Sequence, residues 1–159
     1  MPADNGDMSD ADETVIVPEF YGDPQVNGEG LNAGRRGTIR LFNAGTGAAD
    51  GVISLAPFAN TDATFEATTS PNQLYAVAVA GKRIFVPSVS ASPAAPLAFN
   101  RNVYPVVYVA DVGTKTQVVG GNGTVNLAEQ INALPTAPAR FFLAELADIA
   151  LVPGSTIAY

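Results

Sequence analysis

Leu74-Tyr-Ala-Val-Ala-Val-Ala-Gly-Lys-Arg-Ile-Phe-Val-Pro-Ser88 decides the fold class. Two β-forming runs, 74–79 and 82–88, flank Ala80-Gly81, and a two-residue connection containing glycine joins antiparallel neighbours as a hairpin. Working outward, Tyr104-Pro-Val-Val-Tyr-Val-Ala-Asp111 is a dense β-branched and aromatic strand. Thr116-Gln-Val-Val119 and Thr124-Val-Asn126 lie on either side of Gly120-Gly-Asn-Gly123, which predicts a second hairpin. On the N-terminal side, Thr38-Ile-Arg-Leu-Phe-Asn43 and Val52-Ile-Ser-Leu55 read as strands around a glycine-rich loop. Thr64-Phe-Glu-Ala-Thr68 alternates, which puts Phe65 and Ala67 on one face. Ser90-Ala-Ser-Pro-Ala-Ala-Pro96 is a loop of small residues and prolines.

Helical signals are short. Asn126 is placed as an N-cap with Glu129 three residues on, Leu127, Ile131 and Leu134 recur at helical spacing, and Pro135 ends the run. Residues 140–146 fit either a strand or a short helix. Strands at short intervals with Gly/Pro turns predict a mainly β fold, a small β-sandwich or β-barrel, with at most one or two short helices.

Charge divides the chain. The net charge is −7. Residues 1–34 hold eight carboxylates and no Lys or Arg, whereas residues 35–159 hold eight Lys/Arg against seven Asp/Glu. The acidity therefore sits in an extended N-terminal arm, residues 1–34, ahead of a β-rich body, residues 35–159. Within the arm, Thr14-Val-Ile-Val-Pro18 has the form of an edge strand, because proline is tolerated at sheet edges. Residues 19–34 read as a linker. So polar an arm has little reason to order on its own body, which predicts docking on a neighbouring subunit or partner. The candidate partner-binding residues are Asp4, Asp7, Asp10, Asp12 and Glu13 of the arm, with the basic cluster Arg35, Arg36 and Arg40 beside them. Those arginines sit next to an excess of acid, which predicts pairing with carboxylates, a neighbour's arm among them, and not with nucleic acid.

Composition narrows the function classes. Only 14% of residues are charged, against roughly 25% in ordinary soluble domains, so part of the surface is expected to be covered by a partner. The chain has no Cys and no His, which removes thiol nucleophiles, the usual zinc ligands and the commonest general base near neutral pH. Gly45-Thr-Gly47 lacks the third glycine of a dinucleotide turn, and Gly120-Gly-Asn-Gly123 is not followed by Lys-Ser or Lys-Thr. The body's carboxylates, Asp50, Asp62, Glu66, Asp111, Glu129, Glu145 and Asp148, read as surface charges, with Glu145 and Asp148 sharing a face if their segment is helical. The arm's aspartates lack the EF-hand pattern. Tyr75, Tyr104 and Tyr108 would line a carbohydrate groove if they faced outward. We expect no catalytic residues, no cofactor and no metal. The acidic start is the opposite of an export signal, and no run of eighteen apolar residues marks a membrane span.

An acidic polar arm through Gly34, loop-rich strands after Thr38 and the closing Pro153-Gly-Ser-Thr-Ile-Ala158 give the chain a general style. In that style it resembles the head-decoration (cement) proteins of tailed phages. The resemblance implies a structural virion component on the capsid surface. It would bind major capsid protein or like subunits through its body and arm, as a homo-oligomer with a trimer favoured. Two other readings stay open: a surface β-sandwich adhesion module, and a phage tail-tube or connector subunit.

Overall fold

The computed structural model describes residues 6–26, 28, 30–32, 34–66, 68–120, 123–135, 143, 145–155 and 158–159. Eleven strands are present among them: β1 (Thr14–Pro18), β2 (Asp23–Pro24), β3 (Arg35–Asn43), β4 (Ala49–Leu55), β5 (Phe58–Ala59), β6 (Thr68–Asn72), β7 (Ala78–Ala80), β8 (Arg83–Ala91), β9 (Val103–Asp111), β10 (Thr116–Gln117) and β11 (Thr124–Asn126). The helices are short, α1 (Phe99–Asn102) and α2 (Leu127–Asn132), with a 3-10 turn at Asp10–Asp12. The fold is mainly β, and its curled sheets form a half-barrel, as the strand pattern predicts.

Every ladder is antiparallel. In the first sheet β3 is central, with β1 and then β2 along one edge and β4 along the other. In the second sheet β8 and β9 are paired over their whole length, from Arg83↔Asp111 to Ala91↔Val103. β6 and β7 share the outer edge of β8, β10 and β11 share the outer edge of β9, and β5 extends β6. Alternation fills the interior: Ile39 and Leu41 from β3, Ile53 and Leu55 from β4, Ile84 and Val86 from β8, and Tyr104, Val106, Tyr108 and Ala110 from β9 are fully buried. Gly37 lets the sheets approach, because a Cβ there would stand 2.6 Å from the Pro71 Cβ.

Two tyrosines bring hydroxyls inside, so the core carries its own polar chain. Thr69 Oγ1 lies 2.5 Å from the Tyr104 hydroxyl, Ser90 donates to Thr69 Oγ1 at 2.7 Å, and Ser90 Oγ is 3.2 Å from the Tyr108 hydroxyl. Asn60 also bonds the Tyr104 hydroxyl and accepts from Asn126 Nδ2 at 3.0 Å. Among the described residues no buried side-chain polar atom lacks a partner, as buried polar groups require.

Several sequence expectations need correction. The hairpin after β7 turns at Gly81-Lys82, one residue later than the sequence pattern places it, since Ala80 pairs with Arg83 and Gly81 takes the positive φ of 59°. Residues 74–77 are not strand. Asp62–Phe65 is a turn, because Phe65 N–H donates to the Asp62 carbonyl at 3.1 Å and Asp62 Oδ1 accepts from the Thr64 N–H at 2.8 Å and its hydroxyl at 2.7 Å, and Ala67 lies outside the described residues. Phe65 is buried all the same. β10 and β11 do not pair with one another: both take the edge of β9. α2 is capped by Asn126, whose Oδ1 accepts from the Ala128 and Glu129 N–H groups at 3.0 and 3.3 Å. Residues 140–142 and 144 lie outside the described residues, and 145–150 form neither helix nor strand, so Glu145 and Asp148 share no helix face.

Candidate binding surface

β1 has the bounds the sequence gives it, but it belongs to the body's own sheet. Thr14↔Asn43 through Pro18↔Ile39 is an unbroken antiparallel register with β3, and Asp23↔Arg36 and Pro24↔Arg35 continue along the same edge. The expectation that the arm would not order on its own body is corrected for residues 10–25. Its strand-forming run outweighs its polarity, because Ile16 packs against the buried core. The turn before it is fastened too: Gly45 donates to the Asp10 carbonyl at 3.0 Å and Asn43 Nδ2 to the Ala11 carbonyl at 2.6 Å.

Of the candidate site residues, Asp4 lies outside the described residues. Asp7 Oδ1 accepts from the Ser9 N–H at 2.6 Å, and Asp10 and Asp12 stand on the exposed turn. Glu13 is buried. Arg40 meets carboxylates of its own chain: it is paired with Glu19 and, at 3.2 Å, with Asp23. The hydrogen bond and charge of Glu19 hold its pKa above the usual guanidinium value. Asp23 Oδ2 also accepts from the Thr38 hydroxyl at 3.1 Å. Arg40 therefore fastens the stretch after β1 to β3. Arg36 is exposed, and Arg35 turns toward a cleft.

That cleft, of about 710 Å³, is the feature the sequence did not announce. Its floor is the end of β6 and β8, at Ser70, Pro71 and Ala91, and its rim is built from three separate stretches of chain. Tyr21, Leu31, Leu97 and Phe99 stand there with 65, 57, 70 and 62% of their surface exposed. Scattered apolar side chains on a surface are ordinary, but here four large ones stand around one concavity.

Hydrogen bonds set the walls. Ser70 Oγ donates to the Asn32 carbonyl, and Ser92 Oγ donates to Asn32 Oδ1 at 2.6 Å. Asn102, at 2% exposure, donates to the Ser92 and Ala94 carbonyls at 3.3 and 2.8 Å and accepts from the Ala98 N–H at 2.9 Å. Asn102 thereby folds the proline-rich loop 92–98 back over α1 and presents Leu97 and Phe99 outward. A four-residue helix gives no periodic signal, and Leu31 is far from Leu97 in sequence, so sequence reading misses this site.

Among the described body carboxylates Asp62 and Glu129 are neighbours, lining one recess with Asn132, and Asp50, Glu66 and Asp111 each pair with a cation of their own. Asp50 pairs with Lys115 at 2.7 Å, Glu66 with Arg101 at 3.3 Å and Asp111 with Arg83 at 3.7 Å. Glu129 Oε1 accepts from the Thr61 and Asp62 N–H groups at 3.2 and 3.4 Å. Hydrogen bonds from Thr64 hold the Asp62 carboxyl below its usual pKa, and the Thr114 N–H does the same for Asp111. Among the described residues no three carboxylates gather as a metal site would need. Tyr104 and Tyr108 are fully buried, so they line no carbohydrate groove. Comparison with protein-family models, with curated proteins and with solved structures finds no match.

Proposed function

We propose that this chain is a structural module that adds to a larger protein assembly, in the role of a capsid decoration protein that binds like subunits or a capsid lattice and does no catalysis. The observation that carries the reading is the cluster of Tyr21, Leu31, Leu97 and Phe99 around one cleft on a surface otherwise poor in charge. Burying one such side chain contributes about 1.5–3 kcal/mol, and several together offset the freedom lost on association. A module that binds the assembled form alone stabilises that form by mass action. A homotrimer is the favoured state of the module, each copy presenting its cleft to the shell.

The test uses full-length protein, with light scattering for its native mass and cosedimentation with expanded tailed-phage heads. Saturable binding that raises the melting temperature of the heads, and that Leu97→Asp weakens at least about tenfold, supports the reading. A monomer that leaves the heads unoccupied and unstabilised overturns it. A large closed ring in solution points instead to a tail or connector subunit.

A further inference from the structure

Three asparagines line the cleft, and all three spend their amide oxygens inside the chain. Asn32 Oδ1 accepts from Ser92 Oγ at 2.6 Å, Asn72 Oδ1 from the Gln73 N–H at 3.0 Å, and Asn102 Oδ1 from the Ala98 N–H at 2.9 Å. Asn102 spends its Nδ2 as well, on the Ser92 and Ala94 carbonyls. Asn32 and Asn72 do not. Both are half-buried, and among the described residues neither Nδ2 donates to a group of this chain. The Tyr21 hydroxyl, on the same lining, has no hydrogen-bond partner among the described residues either. The Tyr21 ring is nevertheless held in place. It packs edge-on against Phe20, with ring centroids 4.7 Å apart, and Phe20 packs edge-on against Tyr75 at 5.1 Å. Leu74 N–H fixes the backbone there by donating to the Phe20 carbonyl at 3.2 Å. An aromatic positioned beforehand gives up little freedom when a ligand covers it.

These features select the occupant. Whatever covers the lining must bring acceptors, because a buried donor left without one costs free energy. It should bring few donors, since the amide oxygens are already taken. An ordinary extended peptide has an N–H at every residue to bury, whereas each proline offers a carbonyl and no N–H. A proline-rich segment is also extended and stiff before it binds, and its rings suit an aromatic-lined groove. Charge agrees: among the described residues the lining holds one cation, Arg35, and no carboxylate, so a basic segment finds no counter-charge. A second copy pairing cleft to cleft would set donors against donors. At about 710 Å³ the cleft has room for a short segment.

We infer that the cleft is a docking site for an extended, proline-rich, non-basic segment of another protein in the assembly, which rests on the reading of this cleft as the module's contact surface. The segment's carbonyls accept from Asn32 Nδ2, Asn72 Nδ2 and the Tyr21 hydroxyl, and its apolar side chains lie against Tyr21, Leu97 and Phe99.

The probe is a fluorescent synthetic peptide with a Pro-Leu-Pro-Pro-Leu-Pro centre, measured by anisotropy on the full-length protein. Its control carries alanine for each proline, which keeps the leucines and restores the N–H groups and the flexibility. The proline peptide should bind at least about tenfold more tightly. Asn72→Asp keeps an oxygen for the Gln73 N–H and turns the donor into an acceptor, so it should cost about tenfold in affinity with the melting temperature nearly unchanged. Asn32→Asp makes the same exchange while keeping the bond from Ser92, and serves if Asn72→Asp disturbs the fold. Equal binding of the two peptides, binding of neither, full affinity in both Asn72→Asp and Asn32→Asp, or self-association that blocks the peptide would each overturn the inference. Phage heads that are occupied and stabilised while the proline peptide shows no preference overturn it and leave the capsid role standing. A preferred proline peptide on a protein that ignores the heads upholds it and removes the capsid role.

Discussion

Asn102 is a buried amide that holds three backbone groups of a loop otherwise short of partners. Asn102→Ala leaves the Ser92 and Ala94 carbonyls and the Ala98 N–H to find new ones, at a cost of about 2–3 kcal/mol. The melting temperature should fall by about 5–10 °C, and Leu97 and Phe99 should lose their fixed positions at the rim. Calorimetry and one binding assay check both. Tyr108 makes a second prediction at this scale. Burial pushes its phenol well above the usual pKa, and the hydrogen bond with Ser90 lowers it only in part. The folded chain then keeps a proton that the unfolded chain releases near pH 10. Stability from Tyr108 is therefore fully present below about pH 10 and is lost as the pH climbs above it. Tyr104, raised for the same reason, adds to the slope. Denaturant melts at pH 9 and 11 should show the loss, and Tyr108→Phe should lessen it.

At the scale of elements, two glycines separate conformation from space. Gly81 has φ +59°, and a Cβ placed on it would meet nothing within 4 Å, so Gly81→Ala meets only the left-handed backbone penalty of about 1–2 kcal/mol. Gly37→Ala instead drives a methyl into Pro71 and toward Leu55 between the sheets, an overpacking that costs about 1–3 kcal/mol. Comparing the two variants by urea unfolding, the second should also shift near-ultraviolet signals from the core, and the first should not. Elements were legible where a local pattern and its tertiary use agree. Thr14–Pro18, β9 and α2 each carry β-branching or capping in the segment itself. The pairing of β10 and β11 was not, because the glycines of 120–123 resemble a hairpin while the long edge of β9 offers both strands a better partner. Phe65 misled for a related reason: a buried aromatic in a turn leaves the same alternating trace as one in a strand. In the candidate site, charge made the acidic stretch and Arg40 visible, but polarity alone does not reveal that their partners lie in one chain. The cleft has no local signature at all.

For the whole molecule, the placement of β1 sets what truncation does. Removing residues 1–34 strips β1 and β2 from β3 and uncovers the core beneath Ile16. The shortened chain should aggregate or melt far below the intact protein, as gel filtration and circular dichroism would report. The net charge of −7 holds copies with an exposed apolar cleft apart, so salt that screens that repulsion should lower solubility.

The two sheets are consecutive along the chain: β1 to β4 end at Leu55, and every strand of the other sheet comes later. On a translating ribosome the first sheet is therefore whole before its cover exists. Ile39, Leu41, Ile53 and Leu55 await the residues of β9, which ends at Asp111. At about 5–20 residues per second the wait is on the order of 3–11 s. For that interval the nascent chain offers one greasy sheet face to whatever surrounds it, which makes it a natural client for a holding chaperone and makes the pace of synthesis through codons 56–111 a determinant of yield.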